Sequence, residues 1–337
     1  MLNKRSSPPM RLIRLWLIAC CLLIFLMILL GGITRLTESG LSIVDWRPIT
    51  GWIPPLNASD WTKLFTAYQA SSEFQKLNFW MDIADFKNIF WLEYLHRLLG
   101  RIIGIIYGLP LLWFAARYQL GSGLTARLVS LFVMGGVQGG LGWYMVKSGL
   151  VKETSVNHYL LAAHLGLAVT IYGVMLFIAT QPKRRSKHAV KPALARAFTA
   201  LVFLTIVWGA FVSGLDGGAV FNTFPLMDGS LIPPSALAIS PLWLNFFDNI
   251  GLVQWIHRVL AIATLCMAVW LSFRYRHTRL HFIHLSLFIT FLQFVLGITT
   301  ILTGASLYVA WAHQGGAILL FSSSVIIWAQ SSRYSNA

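Results

Sequence analysis

Eight apolar runs, each about as long as a bilayer-spanning helix needs, decide what this chain can fold into. A span takes about 20 mostly apolar residues, and such runs centre near residues 22, 106, 135, 170, 205, 264, 291 and 318. The composition agrees, with 57% hydrophobic and 11% charged residues and a mean hydropathy of +0.68. A soluble domain is excluded, and an all-α integral membrane protein with eight transmembrane helices is expected.

The net charge of +15 raises the question of nucleic acid, and the distribution of the charge answers it. Six Lys/Arg lie between Lys183 and Arg196, four lie in the first 14 residues, and Arg274, Arg276 and Arg279 follow the sixth run. By the positive-inside rule these segments and both termini face the cytoplasm. All eleven acids, from Glu38 to Asp248, then fall on the outer side or at outer helix ends. The basic excess is a topology signal, so no nucleic-acid partner is implied and the surrounding medium is membrane lipid. Met1 to Arg14 is too short for a transit peptide and no Ala-x-Ala-like cleavage site follows, so the first run is read as an uncleaved helix. Cys20, Cys21 and Cys266 lie inside spans. They make no outer disulfide or zinc cluster, and packing by burial is their expected role.

The chain also repeats itself. Gly32-Ile33-Thr34-Arg35-Leu36-Thr37-Glu38-Ser39-Gly40 answers to Ala210 through Gly218, and Glu93-Tyr94-Leu95-His96-Arg97 answers to Gln254-Trp255-Ile256-His257-Arg258. Gln138-x-x-Leu141-Gly142 matches Gln293-x-x-Leu296-Gly297, and Ala163-His164-x-Gly166 matches Ala312-His313-x-Gly315. The order is the same in both halves, and the offsets fall from 178 to 161, 155 and 149 residues. The expected organisation is an N-terminal four-helix bundle over 1–182, a basic cytoplasmic linker over 183–196 and a pseudo-symmetric C-terminal bundle over 197–337. The first, third, fourth and fifth runs are placed near Leu12 to Leu30, Leu124 to Met145, from Asn157 onward and up to Gly214. The outer segment between the first two runs extends to about Phe90. Its Trp46, Trp52, Trp61, Trp80 and Trp91 fit an interfacial lid or belt.

Histidine inside a span is costly and usually faces the bundle interior with a partner. A lone one is often a hydrogen-bonded packing residue, but His96, His164, His257 and His313 stand at repeat-equivalent positions in the outer halves of their helices. Two imidazoles per unit, on different helices at similar depth, supply both axial ligands of a haem iron. Zinc or copper would want a third ligand, and none matches in both halves. His158 is read as interfacial; His188 and His277 lie in inner loops, and His281 and His284 are a weak metal spacing. Arg97 and Arg258 follow two of the histidines and suit either haem propionates or simple interfacial anchoring. Glu93 stands where the second half has Gln254. A carboxylate there can accept and deliver protons, whereas an amide cannot; an acid near the start of a helix also suits the helix dipole without catalysis.

These residues closely resemble the haem A synthase family. The resemblance rests on the Glu-x-x-His-Arg and Gln-x-x-His-Arg stretches, the Thr34-to-Ser42 loop and the Ala-His-x-Gly helices, and spans Gly31 to about Phe321. With no cysteine between Cys21 and Cys266, the chain is similar to the form of many Gram-negative bacteria and mitochondria that lacks an outer-loop cysteine pair. The resemblance implies an oxidoreductase that converts the C8 methyl of haem O to the formyl group of haem A through a hydroxymethyl stage and a geminal diol. It implies that His96 and His164 hold haem O or its product, that His257 and His313 ligate a resident haem b, and that Glu93 takes part in catalysis. It further implies haem O synthase, cytochrome c oxidase assembly factors and an unidentified electron donor as partners. The implied place is a bacterial inner membrane, with the haem sites towards the periplasm. Homo-oligomerisation is left open. The rival readings are a di-haem electron-transfer protein with two permanent haems and a transporter with parallel repeats.

Overall fold

The computed structural model describes residues 9–47, 50–151, 154–182, 189–276 and 281–332. Lys183, Arg184, Arg185 and Lys187 of the linker lie outside them, as do Glu153, His188, His277 and Arg279. The described residues form helices and connections without a strand: α1 Met10–Leu36, α2 Ala58–Gln69, α3 Ile83–Arg117, α4 Ser122–Val151, α5 His158–Thr180, α6 Pro192–Gly214, α7 Gly217–Val220, α8 Asn245–Asp248, α9 Ile250–Arg274, α10 His281–Leu302 and α11 Leu307–Ser331. Eight of them, α1, α3, α4, α5, α6, α9, α10 and α11, are long and apolar enough to cross a membrane. Their outward faces carry large apolar side chains such as Leu22, Leu26, Val133, Val137, Val269 and Phe288, all exposed. That is the surface a helix presents to lipid.

Neighbour relations are the same in each half. α1 packs on α3 and α5, and α4 closes the ring against α3 and α5; α6 packs on α9 and α11, and α10 closes that ring against α9 and α11. Between the rings, α5 meets α6 and α11, while α1 meets α11. Polar ties cross this interface: Trp311 Nε1 donates to the Leu29 carbonyl at 2.9 Å, Gln314 Nε2 donates to that of Ile28 at 2.8 Å, and Arg35 Nη2 reaches Asp216 at 2.8 Å. The repeat extends to the backbone. Glu38 and Asp216, which answer to each other in sequence, both turn the chain at φ 52° and ψ 28°, a left-handed conformation uncommon outside glycine.

Three boundaries differ from expectation, one of them the end of α4, which continues to Val151 rather than stopping near Met145. α1 continues to Leu36, and α3 begins at Ile83 rather than after Phe90. At about 1.5 Å per residue α3 is some 50 Å long, well beyond the roughly 30 Å of hydrocarbon. Its start is fixed by a capping box in which Asp82 accepts from Ala84 N and Asp85 N while Asp85 accepts from Asp82 N. The extra turns carry Phe86, Ile89, Phe90 and Tyr94, which bury themselves with Tyr68 of α2 under Trp61 and Phe65. The first half thus bears an aromatic cap at the end of the bundle where the long connections lie. Cys20 and Cys21 are buried as expected, but Cys266 is exposed on α9, so burial gives it no packing role.

Candidate functional site

The four span histidines fall on α3, α5, α9 and α11, and each is seated in the same way. A Cβ added to Gly31 would stand 3.0 Å from His96 Cε1; the same 3.0 Å separates Gly142 from His164, Gly209 from His257 and Gly297 from His313. Each imidazole therefore lies against the bare backbone of the neighbouring helix, α1, α4, α6 or α10, where any side chain would push the ring aside. Sequence reading found Gly142 and Gly297 in the repeat without a reason for them, and it missed Gly31 and Gly209. The signal was present, because Gly31 and Gly209 are also 178 residues apart.

A glutamine on the neighbouring helix completes each of two seats. Gln138 Nε2 donates to the His164 carbonyl at 3.0 Å, and Gln293 Nε2 donates to the His313 carbonyl at 2.6 Å. The pairs differ at Nδ1. His257 Nδ1 lies 3.0 Å from the Thr205 carbonyl and His313 Nδ1 lies 3.0 Å from Gln293 Nε2. The buried Nδ1 atoms of His96 and His164 have no hydrogen-bond partner.

These residues fit a haem. The His257 and His313 ring centres are 6.4 Å apart with planes at 85°. An iron with one imidazole on each side needs ring centres about 6 Å apart, given metal–nitrogen bonds of about 2 Å. His257, whose Nδ1–H can be donated to the Thr205 carbonyl, keeps Nε2 for a metal, the usual division of labour in a ligating histidine, whereas His313 Nδ1 faces an amide N–H and is placed to accept. His96 and His164 are seated on Gly31 and Gly142 as His257 and His313 are on Gly209 and Gly297. Among the described residues no group of three or more His, Cys, Asp or Glu is placed to hold a bare metal ion, which leaves paired imidazoles as the donor set.

Above His96, Glu93 is buried and fully engaged. Arg97 donates to Oε1 through Nε at 3.0 Å and through Nη2, while Ser42 Oγ and Ile43 N each donate to Oε2 at 2.8 Å. Arg97 continues to the Ile43 and Asp45 carbonyls and lies 5.1 Å from the Trp46 ring centre. In the second half Gln254 Nε2 donates to the Gly217 and Phe221 carbonyls, and Arg258 donates to those of Phe221, Thr223, Pro225 and Leu226. Both guanidinium groups, expected to face haem carboxylates or the interface, are turned onto loop carbonyls. Each Glu/Gln–Arg pair fastens a long connection to the helix that carries a histidine.

Two further acids matter here. Glu73, which sequence reading did not single out, is buried beneath the aromatic cap, accepting from Tyr68 Oη at 2.9 Å, while Asn78 donates to that hydroxyl. Burial raises its pKa from the ordinary 4.5 to about 7; the Tyr68 bond lowers it, and the charges of Glu93 and Glu38 add to the rise. His158, expected at the interface, lies 2.8 Å from Asp248 and so joins α5 to the second half.

Residues 14–325 match COX15-CtaA, described as cytochrome oxidase assembly protein. The chain belongs to the COX15-CtaA family. A Nitrosomonas eutropha protein named "Heme A synthase" is 43% identical over 327 residues, covering 93% of this chain and 92% of its own. One of the same name from Nitrosospira multiformis is 43% identical over 93% of this chain and 91% of its own, and one from Rhodospirillum centenum is 41% identical over 96% and 89%.

Proposed function

We propose that this chain oxidises the methyl group at C8 of haem O to the formyl group of haem A. The observation that carries the reading is the set of four histidines seated two by two on glycines, in a member of a family whose relatives are named for haem A synthesis. Methyl to formyl is a four-electron oxidation that adds one oxygen atom, so an external oxidant such as dioxygen must take up the electrons, and dioxygen or water must supply the oxygen. A bound haem supplies the iron chemistry that an unactivated methyl requires; the protein binds, orients and excludes water.

The two pairs divide the work. A resident haem b belongs between His257 and His313 in the second bundle, over 197–337, and the substrate between His96 and His164 in the first, over 1–182. The Nδ1 contacts support this assignment. A metal held permanently has ligands oriented from behind, as His257 is by the Thr205 carbonyl. Rings without such partners, His96 and His164, suit a guest that must leave after reaction. Glu93 and Arg97 hold the segment at Ser42 and Ile43 over the first pair, a positioning role. The eight apolar helices support a membrane setting for both sites, which we read as a bacterial inner membrane with the basic end and both termini in the cytoplasm and the histidine pairs towards the periplasm. Haem O synthase, assembly factors of cytochrome c oxidase and an electron donor complete the proposed setting.

The test is mass-resolved chromatography of haems extracted from the purified protein, made in cells that produce haem O and have no other haem A synthase. Haem A or its hydroxymethyl precursor, together with haem B, is expected. Haem B alone would refute the synthase reading.

A further inference from the structure

α11 carries His313 of the second pair, yet two side chains close to His313 in sequence reach across to the first half. Gln314 Nε2 donates to the Ile28 carbonyl at 2.8 Å and Trp311 Nε1 to the Leu29 carbonyl at 2.9 Å. From Leu22 to Thr34 of α1, these are the hydrogen bonds shared with another helix among the described residues. The contact is also close. A Cβ added to Gly32 would stand 2.7 Å from Gln314 Cδ, and one added to Gly315 would stand 3.0 Å from Leu29 Cδ2. Gly31, next to Gly32, is the seat of His96. One turn of α1 is therefore held between the His96 ring and the Gln314 amide, each lying on a bare glycine.

The repeat shows that the fold as such does not need this clamp. Trp311 and Gln314 answer to Ala162 and Leu165, while Leu29 and Gly32 answer to Val207 and Ala210. At the α5–α6 contact Leu165 and Ala210 pack in one apolar cluster, and Val207 Cγ2 stands 3.6 Å from a Cβ added to Gly166. Neither Ala162 nor Leu165 has a side-chain donor. The helix that seats His257 is thus packed but not hydrogen-bonded by these positions of the other half, and His257 is held instead by Thr205 of its own half. His96 is the reverse case. Its buried Nδ1 has no partner, so its placement falls to the seat. An indole N–H and an amide within hydrocarbon must find acceptors, and here both are directed at the same turn of α1.

We propose that Trp311 and Gln314 are positioning residues for the first site: they fix the α1 turn that seats His96, so the substrate half is completed by the helix that carries a ligand of the second. His313 has a seat of its own, since Gln293 bonds its carbonyl and Gly297 lies under its ring. The clamp presupposes that the first half is the substrate half, and changes beside His313 should then be felt in the opposite site.

The test gives α11 the residues of α5. Gln314→Leu and Trp311→Ala, singly and combined, are made beside His96→Ala in cells that accumulate haem O. Haem O and haem B retained per chain are measured by mass-resolved extraction. Electron paramagnetic resonance of the low-spin ferric haems reports the orientation of their axial imidazoles. The double variant should retain about fivefold less haem O, the scale of two lost hydrogen bonds, with haem B unchanged. Gln314→Leu alone should shift the signal that His96→Ala removes and leave the other in place. Unchanged haem O and an unshifted signal, with haem O lost in His96→Ala, would overturn the clamp and leave the substrate half standing. Retention of haem O in His96→Ala would overturn both. Loss of haem B alone would show that Trp311 and Gln314 serve only their own histidine, and would also overturn the clamp. If the double variant loses both haems, Trp311→Phe and Gln314→Met, which delete the donors and keep the bulk, decide: a fall in haem O at constant haem B supports the clamp, and parallel loss of both haems refutes it.

Discussion

The first and second halves share a ring of four helices, a left-handed turn after the first helix, and histidines seated on glycines at one common distance. They part company behind the rings. In the second half both Nδ1 atoms are engaged; in the first both are unpartnered. Under the proposed function, both halves keep what holding an iron would demand, a bare backbone for each imidazole to lie against, and what differs between them would decide whether the guest stays. The loop fastenings diverge as well. Glu93 accepts four hydrogen bonds from Arg97, Ser42 and Ile43, whereas Gln254 donates to two carbonyls and leaves Arg258 to satisfy the rest.

Exchanging the two fastenings gives the largest expected effect. Glu93→Gln strands a buried guanidinium and should cost about 3–5 kcal/mol of stability, the usual result of removing one partner from a buried ion pair. Gln254→Glu gains a partner in Arg258 but faces the Gly217 and Phe221 carbonyls without a donor, and should cost about 1–3 kcal/mol. Thermal unfolding in detergent measures both; equal losses would remove the distinction drawn between the two fastenings.

The cap of the first half should carry a pH dependence that the second half lacks, since among the described residues only Glu73 is an acid buried in a long connection. Its folded pKa of about 7 lies above the ordinary 4.5, so the folded state holds the proton more tightly than the unfolded one. Stability should fall as pH rises from about 4.5 to about 7, by up to about 1.4 kcal/mol per pH unit, and level off above. Glu73→Gln should flatten that slope, which a pH series of unfolding midpoints reads directly.

The smallest effect concerns the glycine seats. Gly209→Ala and Gly31→Ala each set a methyl 3.0 Å from a ring carbon, an overpacking of about 1–3 kcal/mol. The second-half variant should lose more haem, because His257 is tied to Thr205 and has less freedom to move than the unpartnered His96. Haem absorbance per chain is the readout, and a larger loss in Gly31→Ala would reverse the comparison.

Much of this was legible in the residues because periodicity and repetition survive without coordinates. The eight spans follow from apolar length, and the four histidines from their matched places in the repeat. Other features depend on which helices become neighbours. Gly31 reads as an ordinary small residue in an apolar run until α1 is set beside His96. Glu73 looks like one more outer acid until Tyr68 and Phe86 close over it. The polar first turn at Asp82 and Asp85 hides the early start of α3. Trp46 and Trp52, read as belt residues, lie over the guanidinium groups of Arg97 and Arg101 at 5.1 and 5.9 Å.

The central claim is that the two histidine pairs hold different haems, and parallel haem extraction from His313→Ala and His164→Ala tests it most directly. The account predicts that His313→Ala loses haem B while still binding haem O, and that His164→Ala keeps haem B but retains neither haem O nor haem A. Loss of the same haem from both variants would contradict it.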